Sequence, residues 1–350
     1  MPISLARAAA AACVATAAFV APALAAPDLV AGNKAPELET SDWVKGQEVT
    51  EFEPGKIYVV EFWATWCPPC IASMPHLTKL QTEYKDDGVT IIGISSLDSR
   101  GNTLEAVETM TEDKGDELMG YSVAFDDSGV SRNKWQRAAD SMGLPTAFVV
   151  DREGKIAFIG HPMVIDFALE GVVAGNWDMA MGDKLDALLF RSGDMQKAEN
   201  RVEFLEQLTT DFPRSAVTFG DTMGQMLMSD YAELGREDEV WPIATRLIEK
   251  AIKAEDADKL NELSWMIVAP GSTWQSRDLD LAMRAAVKAV EFSKGEDASI
   301  LDTLARVHAR EGNFRKAIEV QQQAINKAEG WMKDSLTEAL TEYKQAAGLG

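Results

Sequence analysis

The chain has 350 residues, which is enough for two domains, and 46% of them are apolar. Its 34 basic and 56 acidic residues give a formal net charge of −22 at pH 7. Nucleic acids and anionic membrane surfaces bind positively charged partners, so the composition argues against both as ligands.

The N-terminal segment has the pattern of a secretory signal peptide that occupies residues 1–26. Arg7 supplies positive charge, residues 8–20 are apolar and rich in alanine, and small residues then offer a cleavage site after Ala25 or Ala26. The apolar run is short for a membrane span of about 20 residues, which favours cleavage over an uncleaved anchor. We therefore expect an exported, periplasmic protein.

Two cysteines, Cys67 and Cys70, follow this segment. A structural disulfide across so short a loop would constrain the unfolded chain little. A zinc site would need further cysteine or histidine ligands at suitable spacing. The histidines are instead scattered along the sequence, at His76, His161 and His308. The pair therefore indicates redox chemistry, and we expect neither a metal site nor an organic cofactor.

A predicted buried strand leads directly into the cysteine pair. Residues 57–63 are rich in valine and aromatic side chains, and the apolar residues after Cys70 recur at helical spacing (Ile71, Met74, Leu77 and Leu80). The N-terminus of a helix presents unpaired N–H groups and partial positive charge, which favour the thiolate of Cys67. The thiolate is the form that attacks a disulfide. Pro75 falls inside this helix and should kink it.

The motif Trp-Cys-Pro-Pro-Cys at residues 66–70, after Phe-Trp-Ala at 62–64, resembles the active site of the thioredoxin superfamily. It is most similar to the TlpA/ResA-like branch of bacterial extracytoplasmic thiol–disulfide oxidoreductases. The resemblance covers residues 30–165. It implies an α/β thioredoxin-like domain at 27–165, with a central mixed sheet flanked by helices and a short hairpin before the first core strand.

The resemblance also implies roles for individual residues. Cys67 would form a mixed disulfide with a protein substrate, and Cys70 would resolve it. Glu61 stands where thioredoxins carry an aspartate that assists proton transfer to and from the second cysteine. It could be an outward-facing strand residue, but a central strand of this fold is covered on both faces, so we expect a buried Glu61 with a raised pKa. Many relatives have a glutamate at the position of Ser73, which leaves the acid role to Glu61 alone.

The chain from residue 89 to 160 continues the same pattern. We expect a buried strand at 89–95, a helix at 135–142, and a strand pair at 147–160 joined by a tight turn. The segment 98–127 is more polar, and the resemblance implies an inserted helix and strand there. The resemblance implies that the bond between Leu144 and Pro145 is cis. Leu144 and Pro145 would hold a substrate strand, and Trp66 would shape the surface beside the thiol.

Residues 166–182 are expected to form a linker, and residues 183–350 an all-α helical-repeat domain. Glycines at 193, 235 and 312 are each followed five residues later by a small or β-branched residue (Ala198, Val240 and Ala317). This resembles the tetratricopeptide repeat, with 301–324 the best match and 331–347 a capping helix. Such repeats present a concave surface to a protein partner, and the alternative is a bundle that dimerises or supports the first domain.

The TlpA/ResA-like resemblance implies a reductant of protein disulfides that receives electrons from a membrane thiol donor. Relatives serve cytochrome c maturation or keep the cysteines of metal sites reduced. An oxidant or isomerase is an alternative within the class. Two alternatives lie outside it. One is a peroxide reductase of the same fold, although those enzymes use a threonine before a single peroxidatic cysteine. The other is a periplasmic adaptor whose helical repeats bind a partner protein.

Overall fold

The computed structural model describes residues 27–271, 274 and 276–349. The predicted signal peptide at 1–26 lies outside the described residues. Within them, no helix is both long enough and apolar enough to cross a membrane.

The N-terminal part of the described chain is built on a six-stranded mixed sheet with the order β1-β4-β3-β2-β5-β6. The central strand β2 runs parallel to β3 and antiparallel to β5. The expected hairpin before the first core strand is wrong, because β1 instead pairs antiparallel with β4 at the edge of the sheet. The strands are β1 Asp42–Lys45, β2 Ile57–Trp63, β3 Val89–Ser96, β4 Ser122–Asp126, β5 Thr146–Val150 and β6 Ile156–Gly160.

Helices cover both faces of this sheet. They are α1 Pro68–Glu83, α2 Leu104–Leu118, α3 Val130–Arg132 with a π-helical turn at Asn133–Arg137, and α4 Ile165–Ala174. The helix predicted at 135–142 is corrected, since its helical turns begin earlier and end at Arg137. Asp140 has φ 52°, a left-handed conformation that stops a helix. Trp135 is buried against Phe62 and Phe148. These three residues belong to one apolar cluster of the sheet.

The rest of the described chain is helical, as expected. The helices are α5 Ala180–Phe190, α6 Ala198–Asp211, α7 Pro213–Thr218, α8 Gly220–Glu233, α9 Glu237–Lys253, α10 Ala257–Val268, α11 Leu279–Phe292, α12 Ala298–Arg310, α13 Phe314–Lys327 and α14 Gly330–Ala346. Neighbouring helices pack against one another from α8 onward, and α9 and α10 also contact α11 and α12, respectively. Gly235 and Gly312 lie in the turns after α8 and α12 with positive φ values of 69° and 79°, which explains their place between helices.

The segment expected to be a linker, 166–182, is largely helical and packed. Helix α4 contacts β5 and β6, and α5 begins at Ala180 and contacts β6. Phe167 of α4 lies edge-on to Phe212 and stacks on Phe219, with ring centroids 6.2 Å and 5.4 Å apart. One apolar core therefore runs from the α1 side of the sheet through α4 into α6 and α8. The burial of these aromatic side chains removes the flexibility that a linker would have.

Candidate active site

Cys67 and Cys70 lie at the start of α1, shortly after the end of the central strand β2. They form a disulfide with their Cα atoms 5.3 Å apart. Cys67 is the N-cap of α1, and its Sγ accepts the Cys70 backbone N–H at 3.3 Å. Only 3% of the surface of Cys67 is accessible in the disulfide form. Cys70 is fully buried behind it.

The residues that follow shape the surroundings of the sulfur atoms. Pro68 and Pro69 occupy the first two helical positions, so neither offers a backbone N–H to the disulfide. This leaves the Cys70 N–H as the backbone donor that contacts Cys67 Sγ. Ser73 is buried and donates its hydroxyl to the Cys70 carbonyl at 2.8 Å, so its side chain serves the helix backbone. Pro75 lies inside α1, as expected.

Glu61 is buried in the middle of β2, as predicted. Only 1% of its surface is exposed, and burial raises its pKa to about 8. Its Oε2 atom has no hydrogen-bond partner among the described residues. A carboxyl group in such a place prefers to be protonated near neutral pH, because the apolar surroundings disfavour its charge.

Two further buried polar atoms lie on the same face of the sheet as Glu61, and sequence reasoning missed both. The Trp63 indole Nε1 and the Tyr121 hydroxyl also lack partners within the described chain. Gly93, which pairs with Glu61 across β2 and β3, leaves room for them: a Cβ there would lie 3.0 Å from Trp63 Nε1 and 3.0 Å from Tyr121 Cε2. Burial and then the charge of Glu61 raise the pKa of Tyr121 well above its usual value. A glycine inside a buried strand was the available signal.

A groove of about 610 Å³ opens beside the cysteine pair, and several of the predicted site residues line it. Cys67, Trp66 and Leu144 line it, and the Leu144–Pro145 bond is cis, as predicted. The Trp66 side chain is at the surface, with 36% exposure, and its Nε1 donates to Asp98 Oδ2 at 2.6 Å. Pro145 is buried next to the groove residue Leu144.

The structure also adds polar residues to this groove that the sequence analysis did not select. They are Asp98 and Arg100 from the loop after β3, Arg132 from α3, and Gln136 from the turn that follows it. The groove therefore joins segments that are far apart in sequence, while Glu61 and Cys70 are buried and do not line it. Such an arrangement suits exchange between an enclosed cysteine pair and an extended segment of another protein.

Residues 31–159 match the sequence model of the AhpC/TSA family. The protein FixW of Rhizobium leguminosarum is 34% identical over 154 residues, an alignment that covers 43% of this chain and 70% of FixW. The chain therefore belongs to this family of thioredoxin-fold proteins.

A second relative is named for its activity, which identifies this chain as an oxidoreductase. The thiol-disulfide oxidoreductase ResA of Bacillus thuringiensis (strain Al Hakam) is 31% identical over 129 residues, covering 36% of this chain and 66% of ResA. A crystal structure of a thiol-disulfide isomerase from Corynebacterium glutamicum has 26% sequence identity and a TM-score of 0.35, and the match covers 41% of this chain and 97% of that one.

Proposed function

We propose that this protein exchanges dithiol for disulfide with protein substrates through Cys67 and Cys70. The observation that carries the proposal is the position of Cys67 Sγ at the N-terminus of α1 and beside an open groove, with buried Cys70 as its disulfide partner. A helix N-terminus stabilises the Cys67 thiolate in the reduced form. The names of the ResA relatives support the same chemistry.

The reaction transfers two electrons in two steps. The Cys67 thiolate attacks one sulfur of the substrate disulfide, which forms a mixed disulfide and releases the other substrate sulfur as a thiolate. The Cys70 thiol then loses its proton and attacks Cys67 Sγ. This closes the Cys67–Cys70 disulfide and releases the second substrate thiolate. The substrate is reduced, and the cysteine pair is oxidised.

In this scheme the ionised form of Glu61 accepts the proton of Cys70, and the protonated form returns it in the reverse direction. A pKa of about 8 lies close to neutral pH, where a group both takes and gives protons efficiently. Trp66 and Leu144 would contact the bound substrate segment from the groove walls, and cis-Pro145 would fix the Leu144 backbone beside it.

Trapping the intermediate tests this assignment. Cys70→Ser removes the resolving thiol, so the variant should accumulate disulfide-linked complexes with substrate proteins on non-reducing gels. Cys67→Ser is the matched control and should accumulate far fewer, because it removes the nucleophile that lines the groove. Equal amounts of complex in both variants would contradict the proposed roles.

We further propose that the protein acts as a reductant, fed by a membrane thiol donor, in cytochrome c maturation or in the maintenance of metal-site cysteines. The reduction potential of the Cys67/Cys70 couple decides the direction, and fluorescence of the adjacent Trp66 should report it in graded thiol buffers. A value near about −250 mV or lower supports a reductant, whereas one near about −120 mV indicates an oxidant.

Peroxide reduction is a second candidate because the matching family is AhpC/TSA. The Cys67–Cys70 disulfide favours dithiol exchange, because Cys70 lies where it can resolve a mixed disulfide between Cys67 and a protein substrate. The two activities are separated by measuring peroxide consumption and disulfide reduction on the same preparation. Peroxide turnover that matches disulfide exchange would favour the second candidate.

We also propose that the helical region from 183 to 350 is a tetratricopeptide-like domain that binds a partner protein. The stacking of its successive helices, with contacts between alternate ones, supports a repeat architecture. An adaptor that needs no redox chemistry is the alternative. A Cys67→Ser variant that fully restores a deletion strain would support the adaptor, and failure to restore it would support the enzyme.

We also propose a thioredoxin-like domain at 27–165, against whose strands β5 and β6 the following helix α4 packs. We propose a periplasmic location after removal of the signal peptide at residues 1–26. Mass measurement of the protein recovered from the periplasm tests the location. A mature chain that begins at Ala26 or Pro27 is expected. An intact N-terminus in the membrane fraction would contradict cleavage.

A further inference from the structure

The groove beside Cys67 carries positive charge in a strongly acidic chain. Arg100 and Arg132 line it, together with one carboxylate among its described lining residues, Asp98. The whole sequence has 56 acidic and 34 basic residues. The sign of the charge at the substrate groove is therefore opposite to that of the molecule as a whole.

The carboxylate of Asp98 is already occupied by three N–H donors. Its Oδ2 accepts the Trp66 indole N–H at 2.6 Å, and its Oδ1 accepts the backbone N–H groups of Arg100 at 2.8 Å and Asn102 at 3.1 Å. These bonds fix the loop that follows β3 and hold Asp98 in a structural role. Neither Arg100 nor Arg132 forms an ion pair with a carboxylate in the part of the chain that the structure describes.

Both arginines line the groove, and the side chain of Arg100 is held in place there. The Arg100 guanidinium lies 4.3 Å from the centroid of the Trp66 ring, and stacking of this kind fixes its plane while its N–H edges stay available. Arg132 lies in α3, and its backbone N–H donates to Asp126 Oδ2 at 3.3 Å. The planar fork of a guanidinium matches a carboxylate with two parallel hydrogen bonds.

We propose that the groove selects substrate segments that carry a carboxylate within a few residues of the reacting cysteine, and that Arg100 and Arg132 bind it during exchange. This inference rests on the proposed disulfide exchange and names its substrate class, an acidic cysteine-containing segment. The overall negative charge of the chain opposes such a substrate only weakly at contact, because charges are screened beyond about 8 Å at physiological ionic strength. The two guanidinium groups act within that distance.

Three synthetic peptides test the inference. Each has one cysteine joined to 2-thiopyridine as a mixed disulfide, and the residues that flank it are Asp, Asn or Lys. The Cys67 thiolate of the reduced protein attacks the peptide sulfur and releases pyridine-2-thione, whose absorbance gives the second-order rate constant. Cys70 then closes the protein disulfide and frees the peptide thiol. The Asp peptide should react about fivefold faster than the Asn peptide, as an exposed ion pair allows, and the Lys peptide should react most slowly.

Substitutions assign this preference to the two arginines. In Arg100→Gln/Arg132→Gln the ratio of the Asp rate to the Asn rate should fall to about one. Arg132→Gln alone should lower the ratio in part, without disturbing the ring of Trp66. Arg137→Gln is the matched control, because Arg137 is exposed on the turn after α3 and does not line the groove. It should keep the wild-type ratio.

The ratio separates failure of the inference from failure of the proposed function. Equal rates for all three peptides in the wild type would overturn the acidic preference and leave disulfide exchange intact. A preference that survives the double substitution would also overturn it. Absence of exchange with every peptide would overturn the proposed function and the inference together.

Discussion

Glu61 makes the stability of the molecule depend on pH. Its pKa is about 8 in the folded protein and 4.5 when the carboxyl group is exposed to water, as in the unfolded chain. Between these pH values the folded state holds a proton that the unfolded state has lost. The free energy of unfolding of the wild type should therefore fall as pH rises from about 5 to 8. Over these three pH units the loss is at most roughly 4 kcal/mol, at about 1.36 kcal/mol for each pH unit.

Glu61→Gln removes the titrating group, so its stability should change much less over the same range. Urea unfolding of the oxidised proteins at pH 5 and pH 8 checks this. The stability of the wild type relative to the variant should decrease between the two pH values. The same decrease in both proteins would show that Glu61 does not titrate as its burial predicts.

Tyr121 should tune Glu61 through its hydroxyl dipole. Tyr121→Phe makes the surroundings of the carboxyl group less polar, which disfavours the charged form and raises the pKa of Glu61 further. The midpoint of the pH dependence of mixed-disulfide resolution should move upward by less than about one pH unit.

Tyr343→Phe is the matched control for this test, because the Tyr343 hydroxyl is also buried without a partner in the described chain but belongs to α14. It should leave the midpoint of resolution unchanged. A downward shift in Tyr121→Phe, or the same shift in both variants, would contradict a local effect on Glu61.

At the level of elements, α4 and α7 are joined by the side chain of Glu170. Its carboxylate accepts the backbone N–H of Arg214 at 3.2 Å, and the backbone N–H and hydroxyl of Ser215 at 2.7 Å and 2.6 Å. It therefore caps the first turn of α7 from a neighbouring helix. Glu170→Ala should cost about 1–2 kcal/mol of stability, the loss typical of a removed cap.

Chemical denaturation at constant pH measures this cost. Glu203→Ala is the control, since Glu203 is exposed on α6 and should change stability by less than about 0.5 kcal/mol. If the two variants lose the same small amount, the carboxylate of Glu170 does not stabilise the contact between α4 and α7.

The elements also show what could be predicted from local sequence. The strand β2 and the helix α1 were predicted because apolar spacing and the cysteine pair are visible within about 25 residues. The burial of Glu61 was predicted from the resemblance, which makes β2 a central strand covered on both faces. The packing of α4 was missed because its partners, Phe212 and Phe219, come from the junctions on either side of α7, about 40 to 50 residues later in the chain. Tyr121 and Arg132 were missed for the same reason, since only the folded sheet brings them near Glu61 and Cys67.

On the scale of the whole molecule, the thioredoxin-like region and the first C-terminal helices share one apolar core. Leu208 of α6 belongs to the core cluster that also contains Phe167 and Leu169 of α4. Leu263 of α10 is equally buried but belongs to a separate cluster of the helical region. Truncation of a buried leucine to alanine costs about 2–5 kcal/mol, which is felt by the elements that share its core.

Leu208→Ala should therefore accelerate amide hydrogen exchange in α4 and β6, whereas Leu263→Ala should act within α9–α11 and leave α4 protected. Exchange followed by mass spectrometry on the two variants separates these regions by peptide. Unchanged protection of α4 in Leu208→Ala would mean that the sheet is stable without α6. Faster exchange would show that the sheet and the helical region are coupled energetically, so a partner bound to α6–α8 would alter the stability of α4, which packs on β5 and β6.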